Sequence, residues 1–194
     1  MKKIFLALIL FALTLAETAI ADEGKMVKRI TEGNDNAKIT IIMYESLTCS
    51  HCADFHKNVY PKLKKEFINT GLVKIEFRHF PLDMAAFNAS KISQCHNDGK
   101  PDLLNLLYSN QANWVKGKTV EDANKNLKEL LNKEGINLDF DKCTNDKNIE
   151  DFVLNDRIEG LKKFKVNATP TIIINNKKFD KRPLNYESLK EALE

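Results

Sequence analysis

Residues 38–80 run KITIIMYESLTCSHCADFHKNVYPKLKKEFINTGLVKIEFRHF, and their pattern decides the fold. Lys38–Glu45 is β-branched and apolar on both faces, as a central strand covered on both sides would be. Ser46-Leu47-Thr48 predicts a turn. A helix is expected from about Cys49, stacking Phe55, Val59, Leu63 and Phe67 at a spacing of four on one face. Lys57, Lys62, Lys64 and Lys65 fall mostly on the other side and read as a solvated face. Pro61 should kink or divide this helix, and Gly71 suits its C-cap. Leu72–Phe80 then sets Val73, Ile75 and Phe77 against Lys74, Glu76 and Arg78, the alternation of a second strand. A β-α-β unit of this length predicts a parallel pair with a right-handed crossover.

Outward from this unit the period changes. Residues 22–37 are a polar arm with one edge strand expected at Met26–Ile30. From Met84 to about Phe164 no strand pattern occurs. Pro101 suits the first position of a helix carrying Leu103, Leu104, Leu106 and Leu107. Glu121–Glu134 places Ala123, Leu127, Leu130 and Leu131 on one stripe and stops at Gly135. Ile149–Lys165 is a third helical pattern. We therefore expect a helical insertion at 85–157 of three to four helices, interrupting a domain built from 22–84 and 158–194. Strand character returns at Thr171–Ile174. Asn175-Asn176 can turn tightly into Lys177–Asp180, because Asn tolerates positive φ. Tyr186–Glu194 closes the chain as a short helix.

The chain has 194 residues, 43% hydrophobic and 29% charged, with 7 Gly and 5 Pro, which excludes low-complexity and collagen-like classes. A net charge of +3 is too small to argue for a nucleic-acid partner. A mean hydropathy of −0.38 excludes a polytopic membrane protein. Lys2 and Lys3 precede a 13-residue apolar run, Ile4–Ala16, and Ala19-Ile20-Ala21 is a small-x-small site. This predicts a secretory signal peptide at 1–21, cleaved near Ala21, since a spanning helix needs about 20 apolar residues. Removing Lys2, Lys3 and Glu17 with it leaves a net charge of +2. All four Cys then lie in an oxidising compartment, where disulfides persist.

Cys49-Ser50-His51-Cys52 puts two thiols at i and i+3 on the first turn of a helix, within disulfide reach. Unpaired N–H groups and the positive end of the helix dipole favour a thiolate there. Cys49, the more N-terminal, is the expected nucleophile and Cys52 the resolving thiol; His51 can donate to the thiolate. Stabilising the thiolate by about 2 pKa units, worth about 2.7 kcal/mol, favours the reduced form. It shifts a two-electron couple by roughly 60 mV towards the oxidising side. An inert disulfide and half of a zinc site, with Cys95, Cys143, His51, His56 and His96 as further ligands, are the competing readings. Further on, Thr169-Pro170 opens a strand. The Pro is a candidate cis bond facing the first helix, leaving Thr169 free to pair with an extended substrate; an ordinary trans Pro before an edge strand is the alternative.

Three segments together resemble the DsbA-like thiol:disulfide oxidoreductases of the thioredoxin superfamily: Ser46–His56, Arg78-His79-Phe80-Pro81-Leu82-Asp83 and Ala168-Thr169-Pro170-Thr171. The likeness extends over the whole mature chain. It implies an α/β, thioredoxin-like fold with a helical insertion and a secreted dithiol oxidase. Cys49 is then the nucleophile, Cys52 its redox partner, His51 the residue tuning the potential, and Thr169 the residue before a cis Pro170. Two positions depart from the family pattern. Ser50 stands where Pro is usual, and Met43 where many relatives carry a buried acid. Glu45, two residues on and on the same strand face, could take over proton transfer for Cys52. A surface position at the strand end is the expectation we favour for it.

A bridge between Cys95 and Cys143 would close a loop of 49 residues, worth roughly 4 kcal/mol in the chain-entropy model. Family members often hold a Cys pair there, and we expect a structural disulfide. His79 reads as a structural hydrogen-bonder, His56 as a helix-surface or capping residue, and Trp114 and Tyr108 as core. The expected activity is disulfide donation to reduced or unfolded exported proteins in the periplasm, with no metal or organic cofactor and no nucleic acid. A membrane quinone-linked oxidase is implied by the resemblance as the reoxidant. Isomerase or reductase activity, or a metal-binding or chaperone module using the same Cys pair, are the alternatives. Only 16 residues separate the cleavage site from the first core strand, leaving no room for a dimerisation module, so a monomer is expected.

Overall fold

A computed structural model describes residues 27–194. One mixed sheet contains β1 (Ile30–Glu32), β2 (Ile39–Glu45), β3 (Val73–His79), β4 (Thr171–Ile174) and β5 (Lys177–Lys178), in the order β1-β3-β2-β4-β5. β2 and β3 are parallel, in register from Ile39 opposite Val73 to Glu45 opposite His79. β1 pairs antiparallel with β3, β4 with β2, and β5 with β4. The central place of β2 follows from its composition. Ile41 and Met43 enter the larger core cluster, while Ile42 and Tyr44 enter a second one with Phe80, Phe164, Val166 and Ile173. On β3, Val73, Ile75, Phe77 and His79 are buried and the residues between them are half-exposed.

The crossover from β2 to β3 is helical: α1 (Ser50–Asn58), α2 (Tyr60–Leu63) and a π-helical turn at Lys64–Ile68. Pro61 lies in the first turn of α2, where its missing N–H leaves no helical bond unmade, so the helix divides just before it. Gly71 ends this stretch at φ +79°.

Between β3 and β4 lie α3 (Met84–Cys95), α4 (Asp102–Ser109), α5 (Gln111–Trp114), α6 (Val120–Lys133), α7 (Phe140–Asn145) and α8 (Lys147–Phe164). That is more than the three to four helices expected. The additions, α5 and α7, are too short to show a helical period. Side-chain caps at Asp83, Thr119, Asp139 and Asp146 start α3, α6, α7 and α8. α8 runs unbroken past position 157 and packs against β3. At Gly160 a Cβ would sit 2.8 Å from the Tyr44 ring, so only glycine lets the helix come this close to the sheet. α9 (Tyr186–Leu193) closes the fold.

The expected α/β sheet with a helical insertion is therefore present. Two boundaries moved. The edge strand lies at Ile30–Glu32 rather than 26–30, pinned where Thr31 N–H donates to Gly99 O at 2.9 Å. β5 ends at Lys178, two residues early. Asn175 and Asn176 take φ of 46° and 65°, the left-handed turn that their side chains tolerate. The leader expected at 1–21 lies outside the described residues. Among those described, no helix is long and apolar enough to cross a membrane.

Candidate active site

Cys49 is the N-cap of α1, with φ −79° and ψ 118°, and Cys52 sits one turn into the helix. Both are free thiols, Cys49 half-buried and Cys52 fully buried. The difference in exposure follows from position: the cap residue precedes the helix and stays at its mouth, while i+3 turns into the core. The Cys49 carbonyl accepts from Cys52 N–H at 3.1 Å and Ala53 N–H at 3.2 Å, which closes the first turn.

The chain returns to this point after 120 residues. The Thr169–Pro170 bond is cis, and the Cys49 thiol donates to the Thr169 carbonyl at 3.3 Å. That contact belongs to the protonated thiol, since a thiolate has no proton to give. A groove of about 620 Å³ opens beside it, lined by His51 and Phe55 of α1, Val59 just after it, Thr169 and Pro170, and Leu184 of the loop before α9. His51 is exposed on the groove side.

The two sulfurs are held in opposite states. The hydrogen bond from the Cys52 thiol, then the Thr169 side chain and the backbone N–H groups of Cys52 and His51, bring Cys49 down to about 5, against the opposing effect of burial. Burial pushes Cys52 far up, and the charges of Cys49 and Glu45 push the same way. The strongest donor to Cys49 is thus its partner thiol, and the helix-terminal N–H groups that the sequence points to act alongside it.

Glu45 and His56 overturn two sequence expectations. Glu45 is 1% exposed and His56 7%. His56 Nε2 lies 2.8 Å from Glu45 Oε2, and His56 Nδ1 lies 2.9 Å from Asn105 Oδ1 on α4. The two ring nitrogens thus join the carboxylate of β2 to the amide of α4. Glu45 Oε1 has no hydrogen-bond partner. Tyr108 stacks on the His56 ring, centroids 4.1 Å apart, with its hydroxyl beside the same carboxylate. The α4 helix is what roofs the strand end, and nothing near Glu45 in sequence announces it.

Other singled-out residues lie elsewhere. Cys95 and Cys143 are bonded to each other, joining α3 to α7. His79 is buried, its ring 2.9 Å from the Gln94 amide, and burial brings it down to about 4. Tyr108 and Trp114 are core residues.

This geometry has counterparts. The chain is 28% identical to alpha-DsbA1 of Wolbachia pipientis, whose crystal structure superposes with a TM-score of 0.74 over 85% of this chain and 88% of that one. It is 27% identical to disulfide bond formation protein D of Bacillus subtilis over 84% of this chain and 74% of that protein. A Rickettsia bellii relative, named a protein-disulfide oxidoreductase, is 26% identical over 89% of this chain. This chain spans 65% of that relative's length, and 31% of its counterpart in Rickettsia conorii. The model of the thioredoxin family matches residues 25–194. With DsbA proteins among its structural neighbours and that model covering nearly its full length, the chain belongs to the thioredoxin family.

Proposed function

We propose that this protein is a thiol:disulfide oxidoreductase that donates a Cys49–Cys52 disulfide to reduced proteins exported with it to the periplasm. The observation that carries this reading is the contrast between the sulfurs. The Cys49 thiolate is stabilised at the mouth of the groove, whereas Cys52 stays protonated in the core. A stabilised thiolate favours the reduced pair, and so makes the disulfide a strong oxidant.

The steps follow. A substrate thiolate attacks Cys49 Sγ and breaks the Cys49–Cys52 bond. Cys52 leaves as a thiolate and takes up one proton. A second substrate thiol loses its proton to water and attacks the substrate sulfur of the mixed disulfide, releasing Cys49 as thiolate. Two electrons pass from the substrate dithiol to the Cys pair. Glu45, buried with its charge felt at Cys52 and its Oε1 unpartnered, is our candidate for exchanging the Cys52 proton. Thr169, beside Cys49, offers backbone to an extended client in the groove. A membrane quinone-linked oxidase would reoxidise the pair.

The test is direct. Oxidised protein should form disulfides in a reduced, unfolded substrate in single turnover, and Cys49→Ala should abolish this. Activity surviving in Cys49→Ala would overturn the assignment.

A further inference from the structure

Residues 46–49 carry the chain from β2 into α1, and the helical insertion grips them at two points. Thr48 Oγ1 donates to Asp83 Oδ2 at 2.6 Å, while Asp83 Oδ1 accepts from Ala86 N–H at 2.8 Å and caps α3. On the other side, Gln111, the first residue of α5, reaches back more than 60 positions. Its Nε2 donates to the Leu47 carbonyl at 2.8 Å and to the Cys49 carbonyl at 3.0 Å. Both hydrogens of the amide are thereby used on the strap that ends in the nucleophile.

Cys49 needs such support. A serine or aspartate N-cap is held by its own side chain, but Cys49 makes no side-chain capping bond. Its φ and ψ are non-helical, and they leave Sγ at the mouth of α1, 3.3 Å from the Thr169 carbonyl. The Cys49 carbonyl already takes the N–H groups of Cys52 and Ala53, and a tether from outside the helix adds a further hold on the residue that carries the sulfur. Gln111 supplies the tether through the carbonyls on either side of Thr48.

We propose that Gln111 is a positioning residue for Cys49, through which the helical insertion sets the acidity of the nucleophile. This rests on the oxidoreductase reading and adds to it a means by which the insertion, remote in sequence, governs the redox site.

The experiment is the pH profile of Cys49 alkylation by iodoacetamide in the full-length reduced protein. Gln111→Met keeps the side-chain length and removes both donors. Its profile should move up by about one pH unit, a roughly tenfold smaller thiolate fraction on the acid limb. Gln111→Glu, an acceptor of equal length when ionised, should move it at least as far and serves if the Met variant does not fold. Gln111→Lys restores N–H donors and should leave the midpoint at or below that of the wild type. A wild-type midpoint in Gln111→Met or Gln111→Glu, or an upward shift in Gln111→Lys, would overturn the proposal. A wild-type protein that titrates like free cysteine would instead bring down the oxidoreductase reading, and this inference with it.

Discussion

His56 Nε2 lies 2.8 Å from Glu45 Oε2, in a polar nest closed over by Tyr108 and Asn105 on the core side of the Cys pair. A buried carboxylate with one oxygen paired and one free is an expensive arrangement for stability alone. Its position is where the proposed reaction would use it: the charge is felt at Cys52, the thiol that gains and loses a proton in the proposed cycle.

Glu45→Gln keeps the shape and the contact to His56 but removes the proton acceptor. In a mixed disulfide between Cys49 and a client, the closing step, attack by Cys52 on Cys49 Sγ with loss of the client thiolate, should slow by about 10²-fold, the low end of general-base effects. Alkylation of Cys49 at pH 7 should continue at near wild-type rate. Rapid-quench trapping of the mixed disulfide measures the first and iodoacetamide labelling the second; equal closing rates in variant and wild type would remove Glu45 from the mechanism.

Cys49 gives a pH signature to stability in the reduced form only. Its folded value, about 5, is below the ordinary thiol value of 9.0. Stability from this ionisation is therefore full above about pH 9 and is lost as pH falls through about 5. Cys52, raised in the folded state, adds an opposing slope only as pH approaches 9.0, where the unfolded thiol ionises and the folded one does not. Thermal unfolding of the reduced protein should thus lose ground against the oxidised protein between pH 8 and pH 4.5. Parallel Tm curves for the two forms would contradict the assignment.

Gly160→Ala tests the packing of α8 on the sheet. The new methyl would meet Tyr44 ring carbons at 2.8 and 3.0 Å, and Tyr44, the next-to-last residue of β2, is fully buried. Overpacking of this kind destabilises by typically 1–3 kcal/mol. Urea unfolding should show a lower midpoint with an unchanged slope, and Cys49 alkylation should be unaffected because the clash lies on the opposite sheet face. An unchanged midpoint would mean that α8 has room to shift.

The local sequence determined much of this protein. The two-faced apolar run of β2, the alternation of β3, Pro61 dividing the crossover helix and the Asn175-Asn176 turn are all short-range patterns, because strand period, proline geometry and turn conformation depend on neighbours within a few residues. The paired thiols at a helix start were legible for the same reason. Only the tertiary structure decided what surrounds them. Glu45 reads as a strand-end surface residue until α4 delivers Asn105 and Tyr108 over it, and His56 reads as helix surface until β2 lies beneath. Gln111 sits in a four-residue helix with no period to detect, yet it holds the nucleophile's backbone. Burial and hydrogen-bond partners are set by segments dozens of residues apart that are packed together by the sheet order and the helical insertion, and no local pattern carries that information.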